Sequence, residues 1–168
     1  MLAGLPNCEI SPDAVISPDA RIHASVRGSR LVIGAYTYLY DFAVIRFVGG
    51  SGDIVIGEHC HINTHCVLYS GSGILLGNDV LIAPGTAIVP ANHSIARRDT
   101  VIRQQGFTPS RGGVTVEDDV WVGANCVLLD GAYIERGAVI AAGSVVNGRI
   151  PAYTIWGGVP SKLLKHRD

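Results

Sequence analysis

The chain has 168 residues, 48% of them hydrophobic, with 21 glycines and 8 prolines, which suits one domain of many short strands and turns. A net charge of −1 gives no electrostatic case for nucleic acid, and no apolar run approaches the ~18 residues of a membrane span. The start, MLAGLPNCEI, has no basic stretch followed by an apolar run, so no signal peptide is evident and a cytoplasmic protein is expected. The thiols of Cys8, Cys60, Cys66 and Cys126 are then expected to be reduced.

Taken in order, the chain repeats in sixes. Heads at Ile10, Ile16 and Ile22 give ISPDAV, ISPDAR and IHASVR. The register slips near Gly28 to Ile33 and through Gly49 to Asp53, and resumes with IGEHCH and INTHCV. It slips again at Ser70 to Gly73, then runs through LGNDVL, IAPGTA and IVPANH. An insertion, residues 94–115, breaks the repeat with His93 on its lip. Six further blocks follow, from VEDDVW at Val116 to VNGRIP. A regular scaffold interrupted once at length, beside a histidine, is where chemistry is expected.

Each block has a physical logic. The head is Ile, Leu or Val and is buried. The fifth residue is small or β-branched, as at Ala14, Val26, Cys60, Cys66, Thr86 and Cys126. The fourth is Asp13, Asp19, Asp79, Asp119, Asn125 or a glycine, types that tolerate the left-handed backbone of a tight corner. Three blocks make one triangular coil, and coils stack at the strand spacing of ~4.8 Å. The expected division is a β-helix over 1–151 and a C-terminal tail, 152–168. In the tail, Pro160 or Ser161 starts a short helix whose Leu163 and Leu164 cap the open end.

These blocks resemble the left-handed parallel β-helix of the hexapeptide-repeat acyltransferases. The tail IPAYTIWGGVPSKLLKHRD is similar to that of galactoside, maltose and related sugar O-acetyltransferases. The segment Ile102 to Thr108, IRQQGFT, resembles the loop of those acting on bacterial surface polysaccharides. The resemblance implies transfer of acetyl from acetyl-CoA to a sugar hydroxyl, as in lipopolysaccharide biosynthesis, by a homotrimer with no metal. LGNDVLIAPGTAIVPANH matches the family segment that ends in the catalytic base, which would be His93; a neutral imidazole suits that task. Asn63 and His65 match two family asparagines that line the acceptor pocket, His65 being a departure. The Ala124 N–H matches an oxyanion donor. Ala142, Lys162 and Lys165 match coenzyme A contacts, the lysines lying one helical turn apart and near the phosphates. Where the family carries Thr-Lys, this chain has Asn147-Gly148.

Read without the repeat, HCHINTHC (His59 to Cys66) looks like a metal site. The repeat places Cys60 and Cys66 inside the coil and His59 and His65 at corners. Other readings stay open: N-acetylation of a nucleotide-linked amino sugar, a zinc enzyme like the γ-class carbonic anhydrases with His59, His61 and His65 as ligands, or a non-catalytic scaffold. Arg97, Arg98, Arg103 and Arg111 are candidates to hold an anionic acceptor such as a nucleotide sugar, with solvated loop charge the simpler account, and Asp41 and Arg46 carry no assigned role.

Overall fold

The computed structural model describes residues 6–168. The chain is a left-handed parallel β-helix of triangular section, each coil adding one short strand to each of three sheets. The first face stacks Cys8–Ile10, Leu31–Ile33, Ile54–Ile56, Ile74–Leu76, Val114–Val116, Ala132–Ile134 and Arg149–Ile150. The second stacks Val15–Ile16, Tyr38–Leu39, His61–Ile62, Leu81–Ile82, Trp121–Val122, Val139–Ile140 and Thr154–Gly157, with Lys162–His166 outermost. The third stacks Arg21–His23, Val44–Arg46, Val67–Tyr69, Ala87–Val89, Val127–Leu129 and Val145–Val146.

The block heads fill the core. Ile45, Ile62, Leu68, Ile82, Ile88, Val122 and Leu128 are fully buried, each contributing roughly 1.5–3 kcal/mol of apolar transfer. Fifth-position residues also point inward, and the polar ones tie coil to coil. Thr37 Oγ1 donates to the Gly57 carbonyl (2.8 Å) and Thr86 Oγ1 to that of Gly123 (3.0 Å). The thiols of Cys60, Cys66 and Cys126 do the same to Gly77, Ala83 and Ala141 at 3.1–3.2 Å. These cysteines are small core residues with a weak donor. Burial pushes the Cys66 thiol up to about 11 and raises the other two as well.

The fourth position is the left-handed corner from the second coil onward. Tyr36, Phe42, His59, His65, Asp79, Asp119, Asn125 and Tyr153 all have φ between 54° and 61°. Bulky aromatics take this backbone here because the stacked corners leave the ring free to lie on the ring of the next coil. Asp13 and Asp19, expected to share it, have no positive φ. In SPDA the proline occupies the second turn position and the Ala N–H closes onto the Ser carbonyl (3.1 Å at both corners), giving a type I turn. Val26 also departs from expectation, being 97% exposed. The chain leaves the coil at Ser25, whose buried Oγ accepts the N–H groups of Arg27 and Ser29.

The expected C-terminal helix is absent. Lys162–His166 is a strand, antiparallel to Thr154–Gly157, and Leu163 and Leu164 are 47% and 60% exposed rather than plugging the coil. A segment this short gains little as a helix, whereas the last strand of the second face offers unpaired backbone groups. The end is held by Arg167, whose N–H donates to the Tyr153 carbonyl (2.7 Å) and whose guanidinium reaches Gly137 O and Asp119.

Candidate active site

The three edges of the prism differ in their backbone donors. At each regular corner the third residue of the block presents an outward N–H. On the first edge, between the first and second faces, side chains close four of the five donors from Glu58 onward, the Asp118 N–H being the exception. Asn78 Oδ1 accepts from Glu58, Asp118 from Asn78, Glu117 from Arg136, and Glu135 from Ala152, at 2.8–3.0 Å. On the second edge, between the second and third faces, the N–H groups of Asp41, Thr64, Ala124 and Ala142 have no acceptor among the described residues. Side chains are mostly small over its fourth to sixth coils: Ala83, Gly85, Gly123, Ala141 and Gly143. Among the described residues, on the first edge only the Asp118 N–H stays free past Glu58, whereas the second edge keeps four free donors, interrupted at Pro84, which has no N–H.

Asn63, His65, Ala124 and Ala142 all lie on the second edge, at the third, fifth and sixth coils. Asn63 donates Nδ2 to the Ile82 carbonyl (2.9 Å), which fixes the amide and leaves Oδ1 as the outward acceptor. His65 is exposed and stacks on Phe42, ring centroids 5.2 Å apart. Ala124 is not singled out, since the Thr64 and Ala142 donors are equally free.

The tail turns beside the same edge and runs back across the second face to the first. The Val145 N–H donates to Gly158 O and the Ser161 N–H to Val145 O, so the chain turns there into its last strand. A register shift between Ile155 and Trp156 pairs Lys162 with Gly157 and Lys165 with Ile155. Those partners are two apart, so the bulge puts both ammonium groups on the same side of the sheet. Helical spacing, expected from the sequence, is replaced by this bulge.

His93 is elsewhere on the chain. It lies beyond the third face, on the third edge, where the loop leaves the fourth coil. The Ser94 N–H donates to Gly106 O (3.0 Å) and the Thr108 N–H to Asn92 O (2.9 Å), making a two-stranded arm. The His93 ring is exposed and stacks on Phe107, centroids 4.5 Å apart. Gln105 pins the outer part of the arm through the backbone of Arg97 and Thr100. Its return is clipped by Asp130, only 3% exposed, which accepts from Ser110 Oγ and from the N–H groups of Arg111 and Gly113 (2.7–3.1 Å). Ile95, Val101 and Ile102 stand 55–72% exposed on the arm.

The histidines read as a metal motif do not converge. His59 stacks on Tyr36, His61 on Tyr38 with Nδ1 3.0 Å from Tyr40 Oη, and His65 on Phe42. Among the described residues no group of three metal-ligating side chains stands together. Nor is any helix among them long and apolar enough to cross a membrane. Sequence reasoning missed the free N–H row, the Phe107 contact and the Asp130 clip. The first had a signal in the third block position, where the second edge carries neighbours too small to reach back.

Residues 113–148 match the family described as bacterial transferase hexapeptide (six repeats). A 2,3,4,5-tetrahydropyridine-2,6-dicarboxylate N-acetyltransferase from Staphylococcus aureus is 46% identical over 57 residues, 34% of this chain and 24% of that protein. One from Clostridium perfringens is 47% identical over 60 residues, 36% and 25% of the two chains. The matched stretch thus spans about a quarter of these curated relatives. Among solved structures, AntD, an N-acyltransferase from Bacillus cereus bound to dTDP and 3-hydroxybutyryl-CoA, superposes with TM-score 0.78 at 21% identity, covering 96% of this chain and 83% of that one. A hexapeptide-repeat-containing acetyltransferase from Vibrio cholerae gives TM-score 0.63 at 28% identity, over 92% and 71%. Over residues 113–148, therefore, the chain carries the repeat of the bacterial hexapeptide transferases, on the fold it shares with solved acyltransferases.

Proposed function

We propose that this protein is an acetyl-CoA-dependent N-acetyltransferase, acting as a trimer on the amino group of a nucleotide-linked sugar. The observation that carries the reading is the second edge, with its free N–H row ending at two same-side lysines. The amide-rich arm of coenzyme A suits such a row, and its phosphates suit Lys162 and Lys165. Two similar proteins support the choice of acceptor: one N-acetylates 2,3,4,5-tetrahydropyridine-2,6-dicarboxylate, and the other is an N-acyltransferase bound to dTDP and an acyl-CoA.

In this reading the thioester carbonyl meets the Ala124 N–H, and the acceptor lies against Asn63 Oδ1 and His65. The amine nitrogen attacks the carbonyl carbon, and the Ala124 N–H stabilises the oxyanion. His93 takes the proton the nitrogen sheds. The C–S bond then breaks, and the departing thiolate receives that proton. The buried, weakly acidic cysteines suit direct transfer better than a covalent enzyme intermediate. His93 and the second edge of one chain are a face apart, so the site needs a neighbouring copy's arm. The exposed Ile95, Val101 and Ile102 are apt for packing on that copy.

Thiol release from acetyl-CoA with amino- and hydroxyl-bearing sugar nucleotides tests this. Turnover with amines, giving a product stable to alkaline hydroxylamine, is the expected result. Hydroxylamine-labile product from hydroxyl acceptors alone would overturn N-acetylation in favour of O-acetylation at the same site. No thiol release with either would overturn both.

A further inference from the structure

We propose that His23, Arg46 and Tyr69 form a subsite for the phosphate groups of the acceptor. The three are consecutive in one cross-strand row of the third face, His23 paired with Arg46 and Arg46 with Tyr69. Their neighbours Ile22, Ile45 and Leu68 point into the core, so this row faces outward. Among the described residues none of the three side chains makes a hydrogen bond or an ion pair. The acids on the third edge are already taken, Asp53 by the N–H and guanidinium of Arg30 and Asp130 by the returning arm. Arg21, in the neighbouring row, turns back onto the carbonyls of Pro18 and Ala20. The rest of the face continues as Val89 and Leu129, which makes the three-residue group its polar end.

The row connects physically to His93. Arg46 ends its strand, and three residues later Gly49 passes under the arm. A Cβ on Gly49 would lie 3.2 Å from that of Ala91 and 3.6 Å from the ring of Phe107, the ring on which His93 stacks. A guanidinium fork, an imidazole and a phenol at successive coil spacings of ~4.8 Å offer donors to a diphosphate, which presents non-bridging oxygens over a similar length. An acceptor anchored there would bring its sugar to the imidazole. The placement rests on the proposed role of His93, but binding at the row is measurable without turnover.

Binding of inorganic pyrophosphate and of UDP would be measured calorimetrically to the full chain, with saturating coenzyme A present to occupy the lysines. Arg46→Gln and His23→Gln should each weaken both probes, Arg46→Gln by roughly ten-fold or more. Lys162→Gln, under the same conditions, should not. A wild-type protein that binds neither probe, or an Arg46→Gln protein that binds them unchanged, would overturn the subsite. Binding lost in Arg46→Gln but retained in His93→Ala supports it, even if no acetyl transfer is found with any acceptor.

Discussion

At the level of single side chains, His93 and the cysteines make opposite predictions. His93 is exposed and touches little beyond Phe107, so His93→Ala should leave the melting temperature unchanged. On the proposed mechanism it lowers thiol release by about 10²–10⁴-fold. Phe107→Ala should reduce turnover less, by freeing the imidazole it holds. Cys66, with its thiol pushed up to about 11, should resist alkylation at pH 8 in the folded protein and react only on unfolding, which mass spectrometry after a short iodoacetamide pulse would read. The sequence made the burial of Cys60, Cys66 and Cys126 legible through their fifth position. It did not make their bonds to the next coil's carbonyls legible, because those depend on which residue stacks beneath, and the irregular turns between coils hide that pairing.

Among the elements, the inserted arm and the first edge carry the testable weight. Asp130→Ala leaves the Arg111 and Gly113 donors without their partner at a buried site. A loss of roughly 1–3 kcal/mol is expected, with faster proteolysis within 94–112. The clip was invisible in the sequence, where Asp130 is an ordinary corner residue; only the path of the returning loop gives it three donors. The first edge should be acid-sensitive. The Asn78 N–H, then the Arg136 guanidinium, hold the Asp118 carboxyl below its usual range; the Arg149 guanidinium, then the Ala152 N–H, do so for Glu135. A depressed folded value means stabilisation is present above the unfolded pKa of about 4 and is lost as pH falls through the folded value. The melting temperature should therefore be flat from neutral pH down to about 5 and fall below about 4. Asp118→Asn should melt lower at pH 7 and show a shallower acid decline. The tail shows why local pattern failed at Lys162–His166: two leucines between lysines read equally as helix or strand, and the free edge of Thr154–Gly157 decides for strand.

For the whole molecule, the separation of His93 from the second edge predicts complementation. Neither a His93→Ala chain nor a Lys162→Glu/Lys165→Glu chain should transfer acetyl efficiently alone. Co-expressed as mixed trimers, they should recover about a quarter of wild-type sites, because each site takes its arm and its edge from different copies. A mixed preparation no more active than its parents would exclude a shared site. The six-residue rhythm made the coil legible, since every head must be buried. It could not reveal which edge stays open, because that depends on whether Asn78 and Asp118 reach the preceding corner and Glu117 and Glu135 the following one. The stacking also fixes a length. From the coil of Asn63 and His65 to the tail strand, the second edge rises in rigid steps of ~4.8 Å that no side-chain motion can stretch. If the reacting carbon is held at one end and the phosphates at the other, the scaffold is a ruler cut to its cosubstrate. Val114 to Gly131 is one full coil, since Val114 pairs with Ala132. A chain with that stretch duplicated would keep its register and its core, yet hold the lysines one step too far from the chemistry.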